Sequence, residues 1–255
     1  MEKISKSQVK LIKSLQLKKF RDETGLFVAE GEKCVEELRK GFELVHLYRE
    51  GENATRTEIE QMSGLKTPQG VIGVFKKRPI GDWKSEIGDW KLKIEDLTLA
   101  LDGVQDPGNL GTIIRTCDWF GVRTIYCSSD TADCYNPKVV QATMGALSRV
   151  QLHYVDLPEW LRELKIKDEE LKIYGTLLDG KDMYEELKSH QLSAISSQPA
   201  VIVMGNEGNG ISQAVRSFIT HPIRIPSYPK NVETSESLNV SIATAIVLAE
   251  FRRLT

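Results

Sequence analysis

Arg115 is the residue whose type and setting most suggest chemistry. It lies in Leu101–Val122, LDGVQDPGNLGTIIRTCDWFGV, where an apolar strand runs into a Pro-Gly-rich turn that opens a helix. In open α/β sheets ligands gather at the carboxyl ends of strands, beside such turns. Helix N-termini there also attract anions. Leu110, Ile113, Ile114 and Cys117 form the stripe expected to be buried, while Gly111, Thr112 and Arg115 share another face by i, i+3 and i+4 spacing. An arginine so placed would grip a phosphate through its planar fork. A solvated arginine at an ordinary strand–helix turn fits the same spacing.

Two further segments carry unusual polar or glycine content. In Ala200–Ser212, AVIVMGNEGNGIS, an apolar strand ends in Gly205, and Gly208 and Gly210 follow. Glycines permit positive φ and close backbone approach to a ligand. The loop is neither GxGxxG nor GxxxxGK[ST], and Glu207 would repel a phosphate. It suits a neutral or cationic ligand, or a generic tight turn. In Ile225–Leu248, IPSY precedes SLNVSIATAIVLAE. Ser237 is expected to cap that helix, and the helix is apolar nearly all round, which predicts burial in the fold or at a subunit interface. Asn239 in its first turn would need polar partners if buried.

These segments must be held by regular elements. Helix is expected over Ser5–Leu17, Glu32–Lys40 and Thr57–Met62, and strand over Leu26–Ala29, Glu43–Tyr48 and Gly70–Phe75. Residues 76–95 are polar and punctuated by Pro79, Gly81 and Gly88, which reads as a linker. Beyond it strands are expected at Leu97–Leu101, Thr124–Cys127, Gln151–Val155, Lys172–Leu177, Ala200–Met204 and Pro222–Ile225. Helices fall between them near 109–119, 137–147, 158–165, 182–188 and 212–219, and a last one runs from Leu238 to Arg253. Alternating strands and helices imply crossovers and a mostly parallel sheet covered on both faces.

Composition narrows the class. The 255 residues are 40% hydrophobic and 27% charged, which suits a globular protein. No apolar run reaches the roughly 18 residues needed to span a bilayer, and the opening MEKISKSQVK lacks a secretion-type apolar core. A cytoplasmic protein is expected. Cys34, Cys117, Cys127 and Cys134 form no CxxC pair, so reduced thiols are expected and no metal site. The net charge of −2 hides an asymmetry, because 19 Lys and Arg face 15 Asp and Glu over residues 1–93. Seven of the first 21 residues are basic and only Glu2 is acidic. Lys6, Lys10, Lys13, Lys18, Lys19 and Arg21 therefore form a candidate RNA handle, with a merely solvated helix face as the other reading.

In this order and at these separations, DPGNLGTIIRTCDWFGV, VIVMGNEGNGIS, and IP followed by SLNVSIATAIVLAE resemble the SpoU (TrmH-like) RNA 2′-O-ribose methyltransferases of the SPOUT superfamily. NPKVVQATMGALSRV (136–150) resembles the stretch between the first two, and residues 1–75 look like the family's N-terminal RNA-binding domain. The resemblance implies an α/β fold. A small N-terminal L30e-like α/β domain (1–78) would be followed by a linker (79–95) and by a trefoil-knot methyltransferase domain (96–255). It implies S-adenosylmethionine as donor, a homodimer, and no membrane or metal partner. It implies methyl transfer to a guanosine or uridine ribose 2′-hydroxyl in structured RNA, with 23S rRNA favoured over tRNA. A non-catalytic RNA-binding or ribosome-assembly factor with a vestigial pocket is a further alternative.

By motif position, Asn109, Arg115, Glu207, Ser237 and Asn239 would be the functional polar residues. Thr176, Leu177, Leu178, Met204, Gly205, Asn206, Gly210, Ile225 and Leu238 would line the donor site. An arginine pKa above about 12 makes Arg115 a costly base, so a phosphate-holding role is expected, with Glu207 as its partner or as a structural acceptor. SYPKNVETSE between Pro226 and Ser237 is longer than the family resemblance leads one to expect, and Cys117 and Trp119 are expected to be packing variants.

Overall fold

The computed structural model describes residues 4–78, 97–191, 199–229, 232, 235 and 237–254. The expected linker at 79–95 and part of the long 227–236 stretch lie outside them. The chain divides into two compact units. One gathers the described residues of Met1–Ile80 with Leu110–Arg115 and Asp133–Arg149; the other holds the remainder.

In the first unit a capping box starts α1 (Lys6–Ser14): the Ser5 side chain accepts from the Gln8 backbone, and Gln8 returns the bond. The helix expected over Ser5–Leu17 is found but ends at Ser14, and a second helix that was not expected, α2 (Lys18–Thr24), follows the extended Leu17 and ends at the left-handed Gly25. Strand β1 (Leu26–Glu30), helix α3 (Glu32–Leu38), strand β2 (Leu44–Arg49), helix α4 (Arg56–Met62) and strand β3 (Val71–Lys76) complete the N-terminal part. The three strands form an antiparallel sheet in the order β1-β3-β2. Ile12, Leu15, Val28, Ile59, Met62, Ile72 and Val74 are buried together in its core. The central strand β3 is buried on both faces, as its VIGVF run requires.

The second unit is built on six parallel strands: β4 (Leu97–Leu101), β5 (Thr124–Ser128), β6 (Gln151–Val155), β7 (Lys172–Asp182), β8 (Ala200–Met204) and β9 (His221–Arg224). Their order is β6-β5-β4-β8-β7-β9. The order reverses between β4 and β8, whose LTLAL and AVIVM runs are buried throughout. Helices α5 (Pro107–Trp119), α6 (Pro137–Thr143), α7 (Leu157–Lys167), α8 (Met183–Gln191), α9 (Gln213–Arg216) and α10 (Val240–Leu254) alternate with the strands in sequence, although α6 belongs to the first unit. Asp106, Asn136 and Asp156 each cap a helix that has proline in its first turn. This places three helix starts in the sequence itself. Trp160 of α7 stacks on Tyr126 of β5 at 4.1 Å between ring centroids, inside a cluster with Leu161, Leu164, Val201 and Val203.

β7 runs on to Asp182, beyond the expected Leu177. Thr176 and Lys181 both pair with Ile223 of β9, so residues 177–180 loop out of register and pairing resumes after them. Among the described residues no helix is long and apolar enough to cross a membrane.

Candidate active site

The strand order reverses between β4 and β8, and the carboxyl ends of strands at such a reversal are the usual ligand edge of a parallel sheet. Helix α5 starts there. Asp106 caps it by accepting from the Asn109 backbone N–H at 2.8 Å. Asn109, one turn in, is held on both sides of its amide. Its Nδ2 donates to Glu207 Oε1 at 2.6 Å, and its Oδ1 accepts from Asn239 Nδ2 at 2.9 Å. Residues 98 and 130 positions away thus meet at one side chain.

Asn239 is an N-cap. Its Oδ1 accepts from the Ser241 N–H (3.0 Å), the Ser241 hydroxyl (2.6 Å) and the Ile242 N–H (3.4 Å), so α10 begins at Val240. This corrects the expectation that Ser237 caps the helix. Ser237 is exposed, and Asn239 is exposed rather than buried. Glu207 pairs with Asn109 and not with Arg115. Arg115 is exposed on α5 and its side chain has no hydrogen bond or ion pair among the described residues. Its expected helix face is only partly as read. Thr112 is exposed beside it, but Gly111 is buried, and a Cβ there would lie 2.5 Å from the Ala142 Cβ and 2.8 Å from the Val139 carbonyl oxygen. The apolar stripe is fully buried at Leu110, Ile113, Ile114 and Cys117. Trp119 is not a packing variant, since it is 85% exposed.

On the donor side, Gly205 is buried and permits the tightest turn of the site. A Cβ there would fall 2.3 Å from the Gly210 carbonyl carbon. Asn206 and Gly210 exchange two backbone hydrogen bonds of 2.9 Å that close the loop, with Gly210 left-handed at φ +66°. Met204 is buried, and the Thr176 hydroxyl donates to the Val203 carbonyl at 3.4 Å. Leu177 packs against the core, Leu178 is 72% exposed, Ile225 is half-buried and Leu238 is 48% exposed. The exposed Leu178 and Leu238 and the closed glycine turn have the apolar and close-approach character that an adenosyl group requires. Burying such side chains recovers about 25 cal/mol per Å² of apolar surface.

A family model described as the SpoU rRNA Methylase family matches residues 96–249. The chain belongs to the SpoU rRNA methylase family. A model of the MRM3-like substrate binding domain matches residues 6–61 of this SpoU protein. Over 99% of the chain and 98% of the relative, it is 30% identical to the 23S rRNA (guanosine(2553)-2′-O)-methyltransferase RlmP of Bacillus subtilis. Among solved structures it matches a putative RNA methyltransferase of the TrmH family from Porphyromonas gingivalis (TM-score 0.79, 35% identity, 99% of each chain). It also matches the AdoMet-bound rRNA methyltransferase of Sinorhizobium meliloti (TM-score 0.79, 30% identity, 99% of this chain and 97% of that one). The SpoU fold expected from the sequence, a parallel α/β sheet preceded by a substrate-binding domain, is the one found.

Of the candidate RNA contacts, Lys6, Lys10, Lys13, Lys18 and Lys19 are exposed on α1 and α2. Arg21 is not available to a phosphate. It is 1% exposed and spends its guanidinium on Asp133 and on the Leu15 and Gln16 carbonyls. Cys34, Cys117, Cys127 and Cys134 are free and buried. Two polar residues that carry local structure escaped the sequence reading. Asp106 is signalled by the Asp-Pro pair at a helix start, and Asp102 has no comparable signal.

Proposed function

We propose that this chain transfers the methyl group of S-adenosylmethionine to a ribose 2′-hydroxyl of structured 23S rRNA. The observation that carries the reading is the Asn239–Asn109–Glu207 relay, with Arg115, whose side chain has no partner among the described residues, further along the helix that bears Asn109. When bound, S-adenosylmethionine supplies an electrophilic methyl group on a positively charged sulfur.

The side chains of this chain do the rest. Arg115 is permanently cationic and presents two parallel donors, so it binds the phosphate next to the target ribose and orients the hydroxyl. It is not the base, because an arginine pKa above about 12 puts deprotonation out of reach. Asn109 has both ends of its amide fixed, which holds the helix start in one arrangement at no cost during the reaction. Ser237, exposed beside the cap of α10, accepts a hydrogen bond from the 2′-hydroxyl, whose proton leaves to a phosphate oxygen of the RNA or to solvent. Glu207 orients Asn109. Thr176, Leu177, Leu178, Met204, Gly205, Gly210, Ile225 and Leu238 enclose the donor.

The same reading divides the chain into an RNA-binding part (1–78), a connection (79–95) and a methyltransferase part (96–255) whose C-terminal segment is knotted. It makes the enzyme a cytoplasmic homodimer that joins through the methyltransferase part, with Lys6, Lys10, Lys13, Lys18 and Lys19 meeting RNA. Guanosine is the favoured base, since the similar RlmP of Bacillus subtilis is named for it. Tritium transfer from labelled S-adenosylmethionine to unmodified total rRNA and, separately, to tRNA tests the reading. Label in 23S rRNA is expected. Label in tRNA alone would move the substrate, and no label with either, alongside an active homologue, would overturn the activity.

A further inference from the structure

Three turns meet at the carboxyl ends of β4, β5 and β8, and they are tied by side chains for which the reaction supplies no role. Asp102 follows β4 and is 8% exposed; its Oδ2 accepts the Ser212 backbone N–H at 2.7 Å. The Asp102 N–H donates to the Met204 carbonyl at 2.9 Å. Asn206 Nδ2 donates to the Gly103 carbonyl at 2.7 Å, while its Oδ1 accepts from the Gly208 (2.8 Å) and Asn209 (3.0 Å) N–H groups. The Gly103 N–H donates to Ser128 Oγ at 2.8 Å, and Ser128 donates to Asp130 Oδ1 at 2.5 Å.

The 205–212 loop is therefore clamped at both ends to the Asp102–Gly103 turn. Asn206 holds the front of the loop and Asp102 holds its back, at Ser212. Between these two ties stands Glu207, whose carboxylate holds Asn109, which in turn receives Asn239. A glycine-rich loop has many backbone conformations to lose, so without the clamps Glu207 would sample many positions. A hydrogen bond from a backbone N–H to a buried carboxylate is among the stronger ties available.

We infer that Asp102 and Asn206 are positioning residues for methyl transfer: they fix the loop that carries Glu207 against the turn that starts the Asn109 helix. The Asn206 side chain, expected from the resemblance to meet the donor, has both ends of its amide committed to loop and turn. This inference rests on the methyltransferase reading.

The test compares four full-length chains under saturating S-adenosylmethionine: wild type, Asp102→Ala, Asp102→Asn and Asn206→Asp. Wild-type turnover on rRNA is required first; its absence would count against the methyltransferase reading and not against the clamp. Asp102→Asn keeps an acceptor oxygen for Ser212 and is expected to retain activity within a few-fold. Asp102→Ala removes the acceptor. Asn206→Asp keeps Oδ1 for the loop N–H groups but faces the Gly103 carbonyl with a carboxylate oxygen. Both are expected to lower kcat about tenfold to a hundredfold, the range a misplaced positioning group produces. Affinity for S-adenosylhomocysteine by calorimetry should stay within about threefold of wild type. Equal kcat for all four chains overturns the inference. So does a kcat loss for Asp102→Asn equal to that for Asp102→Ala, or a tenfold loss of S-adenosylhomocysteine affinity in Asn206→Asp with kcat preserved. The last outcome would make Asn206 a donor contact.

Discussion

Arg21 donates two hydrogen bonds to a single oxygen of Asp133, at 2.7 and 3.2 Å, although the two residues are 112 positions apart. Its remaining donors go to the Leu15 and Gln16 carbonyls at 2.8 and 2.9 Å. Asp133 uses its other oxygen to accept the Tyr135 N–H at 3.0 Å. The Tyr135 ring lies against Phe27 at 4.8 Å, and its hydroxyl accepts the Arg78 N–H at 3.1 Å. Removing one member of a buried pair leaves the other charge uncompensated, at about 3–5 kcal/mol. Arg21→Ala should lower the unfolding free energy of the chain by that order. Lys19→Ala should stay within about 0.5 kcal/mol. Urea titration followed by tryptophan fluorescence distinguishes the two.

Arg115→Ala should lower kcat/KM on rRNA by more than about a hundredfold, the scale at which a donor aimed at the reacting centre acts. S-adenosylhomocysteine affinity should hold, because Arg115 is assigned to the phosphate. Arg115→Lys should not rescue, since an ammonium lacks the planar fork. Full activity in the lysine variant would return Arg115 to the role of a simple surface cation.

Asn109 and Asn239 share one hydrogen bond, so their substitutions should not add. In a double-mutant cycle, Asn109→Ala and Asn239→Ala should show a coupling energy of about 0.5–3 kcal/mol in transition-state stabilisation. Asn239→Ala should also lower stability by about 1 kcal/mol through the lost cap of α10. Additive losses would mean that the two amides act independently.

The four thiols should be silent in the native enzyme. Burial pushes the Cys34 thiol up to about 11 and raises that of Cys117 further. Little thiolate of these two exists at pH 8, and all four are buried. A colorimetric disulfide reagent should find none in the folded chain and four after denaturation.

Several carboxylates sit below their ordinary range because a cation donates to them: Asp22 beside Lys77, Glu37 beside Lys40 and Arg149, Glu250 beside Arg253, and Asp179 beside Arg216. A depressed carboxylate adds stability above its unfolded pKa of about 4 and loses it as pH falls through the depressed value. The urea midpoint should therefore be flat from pH 7 to about 5 and fall below about pH 4. Apart from Glu250, which is largely buried, these carboxylates pair at the surface, so the fall should be shallower in high salt.

Much of the sheet was legible because its central strands are uninterrupted apolar runs and three helices between them open on Asp or Asn with a proline one or two residues on. The break between α1 and α2 was not, since no glycine or proline marks KSLQLKKF. Arg21 binds the Leu15 and Gln16 carbonyls of the connection between the two helices, and its other partner, Asp133, lies far along the chain. The end of β7 was equally hidden, because LLDGKD is polar and its pairing resumes only when β9 supplies Ile223 and Arg224. In the site, Asn109, Glu207 and Asn239 were legible as residues, but which held which was not. Glu207 could have met Arg115 or Asn109, and the closure of the 205–210 loop decided it. Asp102 left no mark, since an aspartate after a strand is an ordinary turn residue until its partner at Ser212 is seen.

The grouping of Leu110–Arg115 and Asp133–Arg149 with the N-terminal unit gives the chain a seam that differs from its apparent domain boundary. Val139, Val140, Ala146 and Leu147 are buried within that unit, where α6 lies on β1 and the Gly145 turn lies against Glu37 of α3. A piece cut at residue 95 would carry these side chains without the surface that covers them. The two halves of such a cut are thus complementary fragments rather than independent modules. Co-expressed, they should reassemble; made alone, the C-terminal half should aggregate.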